Sequence, residues 1–387
     1  MELSCLFVNF NSWRLLAGAI ASLRASPPLR VDGTAIPYEV IVVDNASTIP
    51  DPVGQAAVAE LVAATGGVVL RSSGNLGYAR GMNLARSRAS GRLLLVCNPD
   101  IVFGPDAIGE LVRHFEASGD VGAVEPAVFA DEDFEVHMPV HIVPRPLDLV
   151  RLALGSISRR CNRRYSARRT RAALPVWLAT GAVEGSMVGG CCFLTSRAVV
   201  DRVGFFDPEY PLYYEDTDLS RRLRRAGLRV LRIATARIVH LYDQSARTNR
   251  AEAEARLLAS RRRYFARWFG WRGRCTLAFT NAVLASRWGR SRMRRVADWD
   301  AATVGPVRGA PLLMLPGPCE RFVVEVAFEP FLFLAAAAFG SGDSWTPGAA
   351  ASLRLDREAW LRVVDISAAE PVEIGRWRYS PAEPRRS

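Results

Sequence analysis

The chain contains no lysine: all 50 of its basic residues are arginine. Genome composition produces such a bias, but a guanidinium also suits phosphate and diphosphate better than an ammonium does. Cysteine is poorly arranged for structure. Cys5, Cys97, Cys161, Cys191, Cys192, Cys275 and Cys319 are odd in number and form no C-x-x-C. That excludes a disulfide framework and a zinc site and points to a reducing compartment. Long apolar runs are missing as well. Phe331–Phe339 is the longest, about half of what a membrane span needs. The opening MELSCLFVNFN lacks the basic start and cleavage site of a signal peptide. The expectation is a cytoplasmic protein, at most peripheral on the inner face of the cell membrane. There is no internal repeat and no recognised nucleic-acid-binding module.

What is present is ordinary in amount and uneven in placement. The 387 residues are enough for two or three domains, and 49% hydrophobic with 23% charged residues is normal for a globular protein. The net charge of +11 is concentrated in Arg151–Arg171 and Arg256–Arg295. Partners carrying phosphate are therefore in view: nucleic acid, anionic lipid head groups or a pyrophosphate-linked substrate.

In the first part of the chain, apolar runs alternate with helical patterns. Leu3–Val8, Tyr38–Val43, Gly67–Leu70, Arg92–Cys97 and Val121–Val124 read as buried strands. They are continuous rather than alternating in hydrophobicity, the pattern of a parallel sheet covered on both faces. Ser12 is a candidate cap for the first helix, and Asp51–Pro52 cap and open the second. Gly74–Gly77 is read as a loop before a helix at Tyr78–Arg88, and Pro105 as opening the next helix. From Glu125 to Trp177 the pattern is less regular. Leu147–Leu154 is apolar and is followed by Arg159, Arg160, Arg163, Arg164, Arg168 and Arg169. Two readings stand there: a surface that lies on an anionic bilayer, or a solvated, partly mobile loop. Gly185, Gly189 and Gly190 permit close approach of the chain to a ligand or a neighbouring strand. Helices are expected at Arg256–Phe269 and Cys275–Trp288. After a proline-marked linker, Phe322–Phe328, Phe331–Phe339, Ala351–Leu355, Trp360–Ile366 and Val372–Tyr379 read as the strands of a small all-β domain. Its Trp345, Trp360 and Trp377 are read as core aromatics before sugar-stacking ones.

Polar residues collect at the strand ends: Asn9 and Asn11, Asp44 and Asn45, Asn98 and Asp100. In an open α/β sheet the carboxyl ends of the strands share one edge, where ligands bind. Singly, each cluster could merely cap a helix or make a turn; together they point to one crevice. The remaining polar concentration lies in Phe205–Ser245. There Tyr210, Tyr213 and Tyr214 lead into Glu215, Asp216 and Asp218 at the start of a helix that Gly227 ends, and His240 closes an apolar run. Burial beside aromatics raises a carboxylate pKa and a helix N-terminus lowers it, so such a group can be tuned as a base.

These segments resemble, in order, the motifs of family-2 glycosyltransferases of the GT-A fold, rhamnosyltransferase-like branch. VNFNS at Val8–Ser12 resembles V-x-Y-N-S, and IVVDNAST at Ile41–Thr48 the nucleotide-base segment. GNLGYARGMNLA at Gly74–Ala85 matches N-x-G-[FY]-A-x-G-x-N. LLLVCNPD at Leu93–Asp100 matches the N-P-D form of the D-x-D motif. The stretch from Val203 through Gly227 matches the V-G-x-F-D … E-D-x-D-L segment, and HLYDQS at His240–Ser245 resembles H-x-x-G-x-S with Asp243 in place of Gly. The resemblance covers about residues 3–245.

It implies a GT-A fold: a Rossmann-like, mostly parallel sheet with helices on both faces. It implies inverting transfer of a hexose or deoxyhexose, rhamnose among them, from a nucleoside-diphosphate sugar to a hydroxyl of a lipid-linked or polysaccharide acceptor in cell-envelope glycan synthesis. By the same resemblance Asp216, or less favourably Glu215, is the base. Asn9, Asn11, Asp44, Asn45, Asn75, Gly77, Asn83, Asn98 and Asp100 hold the nucleotide sugar, with Asp44 on the pyrimidine. Asp100 and His240 hold Mg²⁺ or Mn²⁺. Asn98 stands where many members carry Asp, which leaves the metal site one charge short. The tyrosines are expected to wall the acceptor site, and Asp218 to hold its helix in place. The expected domains are 1–250 (a nucleotide-binding half, 1–105, and an acceptor half, 106–250), a helical extension at 251–299 and a β domain at 300–387. A non-catalytic carbohydrate-binding scaffold and a sugar nucleotidyltransferase are the alternatives. The second is disfavoured because VNFNSW, after the first strand, lacks the glycine-rich phosphate loop; nucleic acid is not expected as a partner.

Overall fold

The apolar runs fold as strands that all end on one edge, and this edge positions the polar clusters. The structure, a computed structural model, describes residues 1–241, 250–298, 302–307 and 309–381. Tyr242–Ser245, the end of the last motif, lie outside the described residues. Elements run in the order β1 (Leu3–Asn9), α1 (Trp13–Ala25), β2 (Tyr38–Asp44), α2 (Pro52–Ala63), β3 (Val68–Arg71), α3 (Tyr78–Arg88), β4 (Leu93–Cys97), β5 (Ile101–Phe103), α4 (Ala107–Glu116) and β6 (Val121–Phe129). There follow α5 (Pro146–Ile157), α6 (Arg159–Trp177), β7 (Ala182–Gly185), β8 (Cys192–Ser196), α7 (Arg197–Val203), α8 (Glu215–Arg225), β9 (Arg229–His240), α9 (Arg250–Ala285) and α10 (Arg287–Ala297). The chain closes with β10 (Ala302–Val307), β11 (Leu313–Ala327), β12 (Ala336–Trp345), α11 (Ala349–Ser352), β13 (Ala359–Asp365) and β14 (Val372–Pro381).

Two compact units result. The first comprises Met1–Val128, His141–Val143 and the described residues of Ala179–Arg267; the second comprises Phe129–Val140, Pro144–Leu178 and the described residues from Trp268 on.

The first unit holds a nine-stranded sheet of order β3-β2-β1-β4-β8-β6-β9-β5, with β7 paired to β9. β1, β2, β3 and β4 are parallel. β8 runs against both β4 and β6, so β6 has the direction of the parallel strands. The fold class is thus the expected mostly parallel sheet with helices, with a separate C-terminal all-β sheet. Leu6 and Val8, Ile41 and Val43, Leu94 and Val96 turn to one face and share a core with Met82 of α3, Val200 of α7 and Leu219 and Leu223 of α8. Each such side chain contributes on the order of 1.5–3 kcal/mol by leaving water. On the other face, Leu16, Ile20 and Leu23 of α1 and Val58 and Val62 of α2 are buried. Asp51 caps α2 by accepting from the Gly54 N–H at 3.0 Å, with Pro52 in the first turn, as expected. Ser12 stands at the α1 N-cap position, but its side chain does not cap; Asn9 Oδ1 accepts from the Ser12 N–H instead.

In the second unit the order is β10-β14-β13-β11-β12. Trp345 and Trp377 are buried in its core, as read from the sequence. Two sequence readings are corrected here. Ala351–Leu355 is not a strand; α11 occupies Ala349–Ser352. The Arg-rich stretch is not an irregular loop but two helices, α5 and α6. Pro146 opens α5, and Ser158 caps α6 by accepting from Cys161 N–H.

Candidate active site

Parallel strands bring Asn9 and Asp44 side by side at the ends of β1 and β2. Both are buried. Asn9 Nδ2 donates to Ser47 Oγ at 3.2 Å. Asp44 Oδ1 accepts from the Ser47 hydroxyl at 2.6 Å, and its Oδ2 pairs with Arg71 Nε at 3.1 Å. Asn11 takes a left-handed backbone (φ 57°), which Asn tolerates better than most residues. From there its Oδ1 accepts from the N–H groups of Thr48 and Ile49 at 2.7 and 2.9 Å. Asn45 reaches the next loop: its Nδ2 donates to Asn75 Oδ1 at 3.1 Å and to the Gly77 carbonyl at 3.3 Å, and its Oδ1 accepts from Leu76 N–H at 2.8 Å. Asn9, Asn11, Asp44, Asn45, Asn75 and Gly77 thus form one bonded cradle. Gly77 has φ +80°, and a Cβ there would meet the Pro211 carbonyl oxygen at 2.8 Å. Glycine is required on both counts. Asn83 lies elsewhere: its Nδ2 donates to the Phe206 carbonyl at 2.8 Å, fastening α3 to the segment before α8.

The N-P-D turn follows β4. Asn98 is half-buried, and its N–H donates to the Cys191 carbonyl at 2.8 Å. Asp100 is buried, with Oδ1 3.2 Å from His240 Nε2. The antiparallel register of β5 and β9, Ile101 opposite His240, makes this contact, although 140 positions separate the two residues in sequence.

At the other side of the site, Tyr213 and Tyr214 both have left-handed backbones, with φ 62° and 69°. Each costs on the order of 1–3 kcal/mol for a non-glycine residue, and such strain collects at functional sites. α8 begins immediately after, at Glu215. Glu215 is buried and its Oε2 has no hydrogen-bond partner. Burial first, then the neighbouring Asp216, push its carboxyl well above the usual range. Asp216 Oδ2 accepts from Gly190 N–H at 3.0 Å, and Oδ1 from Thr217 N–H at 2.6 Å. Its pKa is also raised, chiefly by burial, with His141 and the Thr217 and Gly190 donors pulling back. Asp218 is fully buried and bonded to Tyr210 OH at 3.2 Å and Arg222 Nε at 2.8 Å, so it fixes the helix. The tyrosine wall is corrected: Tyr210 is buried, Tyr214 packs on Tyr264 with ring centroids 5.1 Å apart and planes tilted by 43°, and only Tyr213 of the three is exposed.

The turn Gly189–Cys191 ties these parts together, and sequence reasoning identified only its glycines. Gly189 N–H donates to Glu125 Oε2 at 2.6 Å. The Gly190 carbonyl accepts from Tyr78 OH at 3.0 Å, while Gly190 N–H holds Asp216. Cys191 holds Asn98. A Cβ on Gly190 would stand 3.0 Å from Asp216 Oδ2, which explains the glycine. Glu125 is raised to about 6, by burial above all, with Arg232 and the Gly189 N–H opposing. Arg232 is itself buried, and its Nη2 lacks a hydrogen-bond partner. For Glu125 the available signal was a single charged residue inside an apolar strand, VGAVEPAVF; Arg232 is one of three arginines in RVLRIATARIVH and nothing in the sequence set it apart.

Comparisons with known proteins bear on this arrangement. The model of the family described as Glycosyl transferase family 2 matches residues 4–173, ending before Glu215, Asp216 and His240. The N-acetylglucosaminyl-diphospho-decaprenol L-rhamnosyltransferase of Mycobacterium tuberculosis is 29% identical over 222 residues, 54% of this chain and 67% of that protein. The O-antigen biosynthesis protein RfbC of Myxococcus xanthus is 29% identical over 216 residues, 55% of this chain and 16% of that protein. Among solved structures, the mannosyltransferase PcManGT of Pyrobaculum calidifontis, in complex with GDP-Man and Mn²⁺, aligns at a TM-score of 0.46 and 16% identity, covering 76% of this chain and 74% of that one. That likeness is too loose to carry the fold, which rests on the strand order above.

Proposed function

The chain belongs to glycosyltransferase family 2, and on that premise we propose that it transfers a sugar with inversion from a nucleoside diphosphate to a hydroxyl of a lipid-linked glycan acceptor. Rhamnose is the donor sugar we favour and cell-envelope glycan synthesis the setting, at the cytoplasmic face of the membrane. The names of its relatives support this reading: an L-rhamnosyltransferase with diphospho-decaprenol in its name, and a protein of O-antigen biosynthesis.

The reaction needs a base, a held donor and compensation of charge on the leaving group. In our reading Asp216 takes the proton of the acceptor hydroxyl as that oxygen attacks the anomeric carbon on the side opposite the diphosphate. The anomeric C–O bond breaks, and its electron pair leaves with the nucleoside diphosphate. The bonds from Gly190 and Thr217 aim the Asp216 carboxylate, and its raised pKa improves it as a base. Burial raises the Glu215 carboxyl and so disfavours a second negative charge beside it. The cradle of Asn9, Asn11, Asp44, Asn45, Asn75 and Gly77 would hold the nucleoside; Asp44 would exchange its Arg71 partner for a pyrimidine N–H. Asn83 would act by fastening α3 and Asn98 by shaping the diphosphate end.

Asp100 and His240 would hold Mg²⁺ or Mn²⁺, which when bound offsets charge on the leaving diphosphate. Asp100 Oδ1 and His240 Nε2, 3.2 Å apart, are close enough to serve one ion. Among the described residues no group of three or more His, Cys, Asp and Glu gathers for a metal. The remaining ligands would then be diphosphate oxygens and water, the habit of hard cations.

The observation that carries this reading is the single turn, Gly189–Cys191, that bonds both the start of α8 and the N-P-D segment. Nucleotide release from a panel of nucleotide sugars, with and without Mn²⁺ and with a water-soluble acceptor, tests it. Turnover of at least one donor is expected. Release from none, by a folded protein that also fails to bind nucleoside diphosphates, contradicts it and favours the scaffold.

A further inference from the structure

Helix α9 breaks at Gly270 (φ 55°, ψ −140°), and the part that follows has an unusual outer face. At 100° per residue, Trp271, Cys275, Ala278, Phe279 and Ala282 share one side, and all are exposed. Gly273, Leu277 and Thr280, on the opposite side, are buried. A solvated helix carries charged and polar residues outward; this one turns aromatics and small residues outward. Trp271 is 71% exposed and Phe279 68%, and Trp288 at the start of α10 is 59% exposed. The amphipathic ring of Trp favours the boundary between water and lipid, and Phe beside it adds apolar area to the same face.

The charge around this face has one sign. From Trp268 to Ala297 the chain has seven arginines and no Asp or Glu. Arg272 and Arg274 flank the stripe and are exposed. α10 leans on the junction of α5 and α6: Arg292 Nε donates to the Ile157 carbonyl at 3.3 Å, and Arg159 Nη2 to the Arg295 carbonyl at 3.0 Å. The basic outer residues of α6, Arg160, Arg163 and Arg164, therefore belong to the same unit as α10. A protein partner would need an extended acidic and apolar surface of its own to match this one. A bilayer containing anionic lipid supplies both at once.

We propose that the outer face of α9 after Gly270, with Trp288 and the surrounding arginines, docks on an anionic lipid bilayer. No helix among the described residues is long and apolar enough to cross a membrane, so the contact is interfacial. It places the docking surface later in the chain than the apolar stretch at 147–154, where Leu149 and Ala153 are buried. The proposal does not depend on the transfer reaction.

The test uses the full chain and vesicle flotation, with phosphatidylcholine vesicles containing phosphatidylglycerol and with phosphatidylcholine alone. Flotation with the anionic vesicles only, weakening as salt is raised, is expected. Trp271→Ser with Phe279→Ser is expected to lower the partition roughly tenfold or more, with an unchanged thermal melt and unchanged activity on a water-soluble acceptor. Arg272→Gln with Arg274→Gln lowers it less, and only on anionic vesicles. Equal flotation of the aromatic double variant and wild type overturns the proposal. So does flotation indifferent to phosphatidylglycerol, or light scattering that shows a dimer lost in the double variant. Loss of transfer activity with intact flotation would count against the reaction and leave the docking surface standing.

Discussion

Glu325 and Glu215 are both buried carboxylates, and the chain treats them in opposite ways. Glu325, in the second unit, is met by Arg169 at 2.5 Å, Arg362 at 2.8 Å and Thr170 Oγ1 at 2.5 Å. Burial alone would raise its pKa, but Arg169 and Arg362 bring it below the usual value. Arg362 also pairs with Glu373 at 2.7 Å, which Arg376 shares. Glu215, in the first unit, has no partner on Oε2, and its near neighbour Asp216 adds repulsion. Arg232, beside Glu125, likewise has an Nη2 without a hydrogen-bond partner. Where a buried charge serves the fold, it arrives with its counter-charge. Where the chemistry is proposed to occur, Glu215 and Asp216 meet neutral donors or none, no ion pair is formed, and burial raises both carboxyls above their ordinary values.

This contrast can be broken by substitution. Asp216→Asn is expected to lower kcat by roughly 10²–10⁴, with nucleoside diphosphate affinity unchanged by calorimetry. Full activity in that variant would remove Asp216 as the base. In the second unit, Arg362→Met removes one of two guanidinium partners from each of Glu325 and Glu373, and should destabilise by about 1–3 kcal/mol in denaturant unfolding; a cost near zero would mean that the network is ornamental. Glu125→Gln keeps an acceptor for Gly189 and removes the titration. Because the folded pKa of Glu125, about 6, lies above its ordinary value of 4.5, the folded state binds more protons, and stability falls as pH rises through that window. At most about 2 kcal/mol is lost there, and the variant should show a flatter stability profile between those pH values. The smallest effect is expected from Glu215→Gln. Its raised carboxyl likewise loses stability as pH rises, so Gln should leave the melting temperature at pH 8 unchanged or higher, opposite in sign to Arg362→Met.

Legibility in the sequence followed the same divide. β1, β2 and β4 were readable because both faces of a parallel strand are apolar, and Asp51–Pro52 because a cap is local. α6 was not readable as a helix with a buried side. Its inner positions are Asn162, Ser166, Thr170, Ala173 and Trp177, mostly small polar residues that hydrophobic periodicity does not register. The partners that make that face buried, Glu325 and Arg362, lie more than 150 positions away. In the site, Asp100 and His240 could be named from motifs, yet their contact depends on the β5–β9 register. Glu125, Tyr78 and Arg232 gain meaning only from the turn they surround, and no spacing rule reaches it.

The most direct test of the proposed chemistry is the pH profile of kcat/KM for whichever donor the enzyme uses, wild type beside Asp216→Asn. Burial raises the Asp216 carboxyl, so wild-type activity should rise with pH along an acid limb lying above the ordinary aspartate range. The residual activity of Asp216→Asn should be flat across that limb. A limb of the same position and height in the variant would contradict the assignment and with it the contrast between carboxylates that have a counter-charge and carboxylates that do not.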